Sequence, residues 1–325
     1  MDMLSQKSGA LWLGEHHNSV KDHTLQNELI RQLHARRNTN FAKSATSNVQ
    51  QPQQQQQQHP MAIGLEQVQI KFQSVLDDYG AGIISLEQMK DGVEWETRWQ
   101  WPFEGYSPVF ETAKELNIPL VALNVNSEDL ALVENGGLPS LSQEQLDQYI
   151  PDRQGFADFA RPLQYRAYVD YVIRPSYDMH DAMGLLEYSM SGQKLDQKMG
   201  FRNFFSARIL WDESMASRAY EWTKSHPGGL LVGLVGADHV KFRNGITGRY
   251  SRFGAECTSV LLNPSLIDTR PSGSVDMLVN NSVRPDEITL QLRYVKEDVD
   301  MDSVERFLPS STGGVMPLAD YLLLN

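Results

Sequence analysis

A three-layer α/β/α fold built on a roughly four-stranded parallel sheet follows from three features of the sequence. Short apolar runs recur along the chain, and each stops abruptly at Gly or at polar side chains. Stretches with helical spacing of apolar residues separate the runs. Parallel neighbours need such crossovers, and a sheet covered on both faces needs strands apolar on both sides.

The elements are read in order. Ala10 to Leu13 is the first strand, ending at Gly14, and Leu25, Leu29, Ile30 and Leu33 mark the helix after it. Asn38 to Pro60 breaks the pattern and contains the run Gln53 to Gln58, which predicts a disordered insertion with nothing to bury. Met61 to Leu65 is the second strand. Val68, Phe72, Val75, Leu76 and Tyr79 then share one helical face. A helix over Tyr106 to Leu116 leads to the third strand, Pro119 to Leu123, which ends at Asn124. A helical subdomain rich in Tyr and Met spans 151–197, and a long helix runs from about Phe201 to Lys224. Its Tyr and Met residues read as a second small core or as a ligand lid. Gly229 to Val235 is the fourth strand. These elements make one domain, residues 1–252, followed by a small β-containing C-terminal extension, residues 253–325. In that extension Thr258 to Leu262, Ile288 to Val295 and Leu318 to Leu324 read as strands and Ser303 to Pro317 as loop.

Composition narrows the function. The chain has 325 residues, 41% hydrophobic and 22% charged, as in an ordinary globular protein. Its net charge of -12, without a basic run, argues against a nucleic-acid partner. No apolar stretch approaches the roughly 20 residues a membrane helix needs. Cys257 is the single cysteine, which excludes an internal disulfide and a cysteine-based zinc site, and it reads as a buried strand thiol.

Two Gly-x-x-His motifs close the first and fourth strands: Gly14-Glu15-His16-His17 and Gly236-Ala237-Asp238-His239. If the strands are parallel, their carboxyl ends place Glu15, His16, His17, Glu66, Gln67, Asn124, Asp238 and His239 on one sheet edge, where open α/β sheets collect ligands. Imidazoles and carboxylates from separate strands suit a divalent first-row metal or an acid/base pair. The metal set would be His17, His239 and Glu66. Adjacent strand-end residues point in different directions, so at most one of His16 and His17 faces the site. Asp212 and Glu213, in Trp211-Asp212-Glu213-Ser214-Met215-Ala216, either meet something polar in an apolar setting or form a surface pair, with Arg208 a turn away from Asp212.

With Gly64-Leu65-Glu66, Phe72-Gln73, Trp99 to Phe103 leading to Tyr106, and Val121-Ala122-Leu123-Asn124, these motifs resemble the ChaN-like haem-binding uptake family of the Tiki superfamily, over about Ala10 to Arg252. The resemblance implies haem as the ligand, ligation by a tyrosine (Tyr106 and Tyr79 are candidates, with the subdomain tyrosines), and a homodimer. Lys194, Lys198 or Arg202 would meet the propionates. Other Tiki proteins resemble metal-dependent hydrolases that use two Gly-x-x-His motifs and an acid, which matches His17, His239 and Glu66. A non-catalytic paralogue is the third reading. The tail, with Asn263-Pro264 and Pro317-Leu318-Ala319-Asp320, is similar to plant and algal members. That implies a chloroplast protein whose transit peptide precedes these residues, with the cytoplasm as the alternative.

Overall fold

A computed structural model describes residues 2–47, 60–189, 192–265, 268, 291–295 and 313–324. Strands β1 (Gly9–Glu15), β2 (Met61–Gln69), β3 (Leu120–Asn124), β4 (Leu230–Gly236), β5 (Cys257–Leu262) and β8 (Tyr321–Leu323) form one sheet in the order β3-β2-β4-β1-β5-β8. All its pairings are parallel. The sheet has six strands where four were expected. The two additional ones, β5 and β8, come from the segment read as a separate extension. A small antiparallel pair, β6 (Gln291–Val295) with β7 (Gly313–Pro317), lies apart from it. Gly313–Pro317 is therefore strand where a loop was expected.

Alternation along the strands explains the layers. Leu11 and Leu13 of β1 point into one core, with Ile63, Leu65, Val232, Leu234 and the helix residues Leu29, Ile30 and Phe110. Ala10 and Trp12 point into the other, with Leu231, Val235 and the helix residues Leu210, Met215 and Ala216. A strand buried on both faces has no polar side to spare, which is why β2 and β4 are buried throughout. Trp12 pairs in register with Gly233, where any Cβ would collide with the indole ring, so the bulk of one strand is accommodated by a void in the next.

The helices correct one expectation. The helix after β1 runs from Val20 to Ser47, well beyond Asn38 where a disordered segment was expected to begin. The Gln53 to Gln58 run lies outside the described residues. In the 151–197 subdomain, Tyr165 and Tyr168 are buried in the core that holds Ala10 and Trp12, while Leu186 and Leu195 make a small cluster with Met199 just beyond it. Among the described residues, no helix is long and apolar enough to cross a membrane.

Candidate acid–base site at the strand ends

The registers fix where the polar groups fall. Glu15, the last residue of β1, lies opposite Gly236, the last of β4, and Glu66 follows Leu65, which pairs with Leu234. Each motif glycine makes room for the other motif. A Cβ on Gly14 would strike the Val240 side chain, and one on Gly236 would lie 2.8 Å from His17 Nε2. The short helix Ala237–Val240 then turns His239 back over the strand ends.

Two carboxylate–imidazole assemblies result. In the first, His17 Nδ1 lies 2.8 Å from Glu15 Oε1. That oxygen also accepts the Tyr106 hydroxyl at 2.6 Å and Gln67 Nε2 at 3.3 Å, while Gln26 Nε2 donates to Oε2 at 2.6 Å. Burial alone would raise the Glu15 pKa, but hydrogen bonds and charge from His17 and His23 together outweigh it and hold the carboxyl well below its usual range. Glu15 is thus a fixed anion. In the second assembly, His239 lies between Asp212 Oδ1, 2.5 Å from its Nδ1, and Glu66 Oε1, 3.1 Å from its Nε2. The Gly236 amide donates to Glu66 Oε2 at 2.5 Å. Burial and the Arg208 guanidinium disfavour a charged His239, yet the Glu66 and Asp212 carboxylates prevail and push its pKa up to about 9. Glu66 is lowered in return, against its burial, by the charges of His239 and His17 and the Gly236 amide.

His17 differs from His239 in one respect. Its Nδ1 is bonded to Glu15, whereas no hydrogen bond to Nε2 is present among the described residues, and the side chain keeps 23% of its surface exposed against 5% for His239. Burial pushes its pKa down, but Glu15 and Glu66 raise it above the ordinary imidazole value overall. Trp99 meets its ring edge-on at 4.9 Å and Trp101 lies at 5.8 Å.

The other expected site residues separate into supports and neighbours. His16 turns away from His17 and bonds Asp22 Oδ2 at 2.8 Å and Asp268 Oδ2 at 2.7 Å, which push its pKa up to about 10. Asn124 Nδ2 donates to the Glu66 carbonyl at 2.7 Å and so braces the end of β2. Asp238 pairs with Lys241 at 2.6 Å. Asp212 is the second carboxylate of His239, while Glu213 faces elsewhere, into an ion triad with Arg249 and Arg252. Neither forms a surface pair, since both are fully buried.

Three of the expected roles can be set against the geometry. His17, His239 and Glu66 do converge: His239 Nε2 faces Glu66 Oε1 at 3.1 Å, while His17 holds Glu15 through Nδ1 and keeps Nε2 without a hydrogen bond among the described residues. Among the described residues no group of three or more His, Cys, Asp or Glu is disposed to hold a metal ion. Tyr106 does not fit as a haem ligand: it is 2% exposed, donates to Glu15, and is held protonated by burial and by that carboxylate. Tyr79, 1% exposed, donates to the Phe110 carbonyl within the same core as Tyr106. Sequence reasoning missed Gln26, Asp22 and Asp268, and gave Arg208 only a pairing role. No local pattern marks a helix glutamine as the partner of a strand-end carboxylate.

The family model for haem-binding uptake proteins of the Tiki superfamily, ChaN, matches residues 3–249. The chain belongs to this family. Its structure resembles that of ChaN of Campylobacter jejuni, solved with cofacially bound haem, at 15% identity and a TM-score of 0.53, over 84% of this chain and 88% of that one. Weaker likenesses are to an erythromycin esterase mutant in its open conformation (12% identity, TM-score 0.44, 99% and 92% covered) and to a Bacillus cereus protein (12%, 0.39, 99% and 90%). No curated protein matches the chain. At these identities the structural likenesses speak for the fold.

Proposed function

We propose that this ChaN-family chain hydrolyses an acyl or phosphoryl ester with a His17-centred acid–base pair. The observation that carries the reading is the free Nε2 of His17, on an imidazole oriented through Nδ1 by a buried anion and open to solvent. A carboxylate on Nδ1–H fixes the tautomer that leaves Nε2 as a base. Neutral His17 takes a proton from water through Nε2 as the water oxygen adds to the ester centre. The same Nε2–H then returns that proton to the departing alkoxide. His239, protonated between Asp212 and Glu66, supplies positive charge close to where the oxyanion develops. The test is release of p-nitrophenol from p-nitrophenyl acetate, butyrate and phosphate by the purified chain after dialysis against EDTA. Turnover above that of His17→Asn is expected with at least one ester. Activity equal to that variant on all three, or activity that EDTA abolishes, overturns the reading.

A second reading, haem binding, is favoured by the family and by one surface. Met179, Met183, Leu185 and Tyr188 are exposed within a ten-residue span of the helical subdomain, at 43, 64, 39 and 46%. Such a patch would suit the face of a macrocycle, and a second copy closing over the same face would complete its cover. Tyr188 offers an accessible phenol, the ligand type that suits ferric haem, with Lys194 opposite it across a β-bridge to meet a propionate. Hemin titration should then give a saturable Soret shift that Tyr188→Phe removes. A shift unchanged in that variant, or none in the wild type, rejects this surface.

A further inference from the structure

A buried guanidinium beside His239 has no work in either assembly. Arg208 lies one turn before Asp212 on the helix Phe201–Ser225, and its Nε is 3.7 Å from Asp212 Oδ2, too long for a hydrogen bond. Its Nε and Nη2 are buried without a hydrogen-bond partner among the described residues, as is Asp212 Oδ2. Leaving such donors unmade costs roughly 1–3 kcal/mol per group, and more when the group is charged. Arg249 and Arg252 differ in their terminal nitrogens, which bond Glu213 at 2.5 to 3.0 Å, although their Nε atoms are also without a hydrogen-bond partner among the described residues. Arg208 keeps 14% of its side chain exposed, although its unpartnered Nε and Nη2 are themselves buried, while Glu15, Glu66 and Asp212 keep 1% or less.

The surrounding charges leave this fork in position for an incoming anion. Glu15 is matched by His17, Glu66 by His239 and Asp238 by Lys241, and each of these acids has a base in hydrogen-bond contact. Asp212 gives its bonded oxygen to His239, so it offsets the Arg208 charge without occupying its donors. The buried Tyr168 hydroxyl, a neutral group near Arg208, donates to the Asp238 carbonyl at 3.4 Å.

We infer that Arg208 forms an oxyanion-binding subsite beside His239, which selects substrates bearing a carboxylate or phosphate next to the ester that His17 attacks. The substrate half of this statement rests on the hydrolytic reading; the binding half does not. A planar guanidinium with two free N–H groups matches two oxygens of either anion, and a lysine at the same place would offer only a point charge.

Anion binding can be read without turnover, through quenching of tryptophan emission, because Trp211 lies 5.7 Å from the His239 ring. Sodium phosphate and sodium benzoate are titrated separately at constant ionic strength, and the one that saturates at lower concentration assigns the class. Saturable binding is expected for the wild type and for His17→Asn, a loss of roughly tenfold or more for Arg208→Gln, and an intermediate loss for Arg208→Lys. Asp212→Asn removes the offsetting charge and is expected to tighten binding, an outcome a purely structural arginine would not give. No saturation by either anion in the wild type, Arg208→Gln binding as the wild type does, or Asp212→Asn binding no tighter overturns the subsite. Should Arg208→Gln fail to fold, the Asp212→Asn arm decides. If the wild type cleaves no ester yet binds anions through Arg208, the hydrolytic reading fails and the subsite stands.

Discussion

Glu213→Ala is expected to destabilise the fold by about 3–5 kcal/mol, the cost of removing one partner from a buried ion pair and leaving the other charged and unpaired. The carboxylate has no exposed surface, and neither has Arg249. Its oxygens accept Arg249 Nη1 at 2.9 Å and Arg252 Nη1 and Nη2 at 3.0 and 2.5 Å, and Arg249 reaches onward to the Tyr165 hydroxyl at 3.2 Å. This triad joins the long helix to the helix Ile246–Arg252 and to the tyrosine-bearing subdomain. Burial and the alanine cavity act in the same direction, so Glu213→Gln, which keeps volume and one acceptor oxygen, should lose less. Urea denaturation gives both values. A loss below about 1 kcal/mol for Glu213→Ala would mean that water or rearrangement satisfies the two arginines, against the geometry. The effect also reaches the site, because Asp212 precedes Glu213 and successive helix residues diverge by roughly 100°. The same turn points one acid at His239 and the other at Arg249.

That divergence shows where sequence reading stops. Local patterns carried the apolar strands and their glycine stops, so the positions of Glu15, His17 and His239 at strand ends could be read from the sequence, whereas Glu66, expected just past a strand ending at Leu65, lies inside β2, which runs on to Gln69. Two adjacent acids in a helix carry no sign of whether each finds a buried partner, since Arg249 and His239 arrive from 36 and 27 residues away. The sheet extent failed for a similar reason. β5 and β8 look like any half-buried strand, and only pairing with β1 at one side and with each other makes them part of the central layer. Tyr106 was a candidate haem ligand through the family resemblance alone. That it ends on a carboxylate 91 residues earlier depends on how the helix crosses the sheet. Composition favoured disorder from Asn38, but the helix after β1 continues to Ser47.

His17→Ala is expected to lower kcat/KM for the responsive ester by roughly 10²–10⁴, the usual contribution of a positioned general base, with a smaller loss of stability because the buried Glu15 carboxylate keeps only its Tyr106, Gln26 and Gln67 donors. A loss of activity that far exceeds the loss of stability separates a base from a brace. The pH profile gives a second, independent reading. His17 must be neutral to accept a proton, and its pKa is raised by Glu15 and Glu66, so activity should climb on a limb lying above pH 6.5. His239 must be protonated to favour the oxyanion, and its pKa of about 9 sets a descending limb near that pH. The result is a bell on the alkaline side of neutrality. Asp212→Asn withdraws one of the two carboxylates that raise His239 and should move the descending limb toward acid, leaving the ascending limb in place. Glu15→Gln removes the nearest anion from His17 and should move the ascending limb toward acid while costing activity through loss of the ring's orientation. Limbs that stay fixed in both variants would assign the proton transfers to other groups, and an equal loss of stability and activity in His17→Ala would return the residue to a structural role.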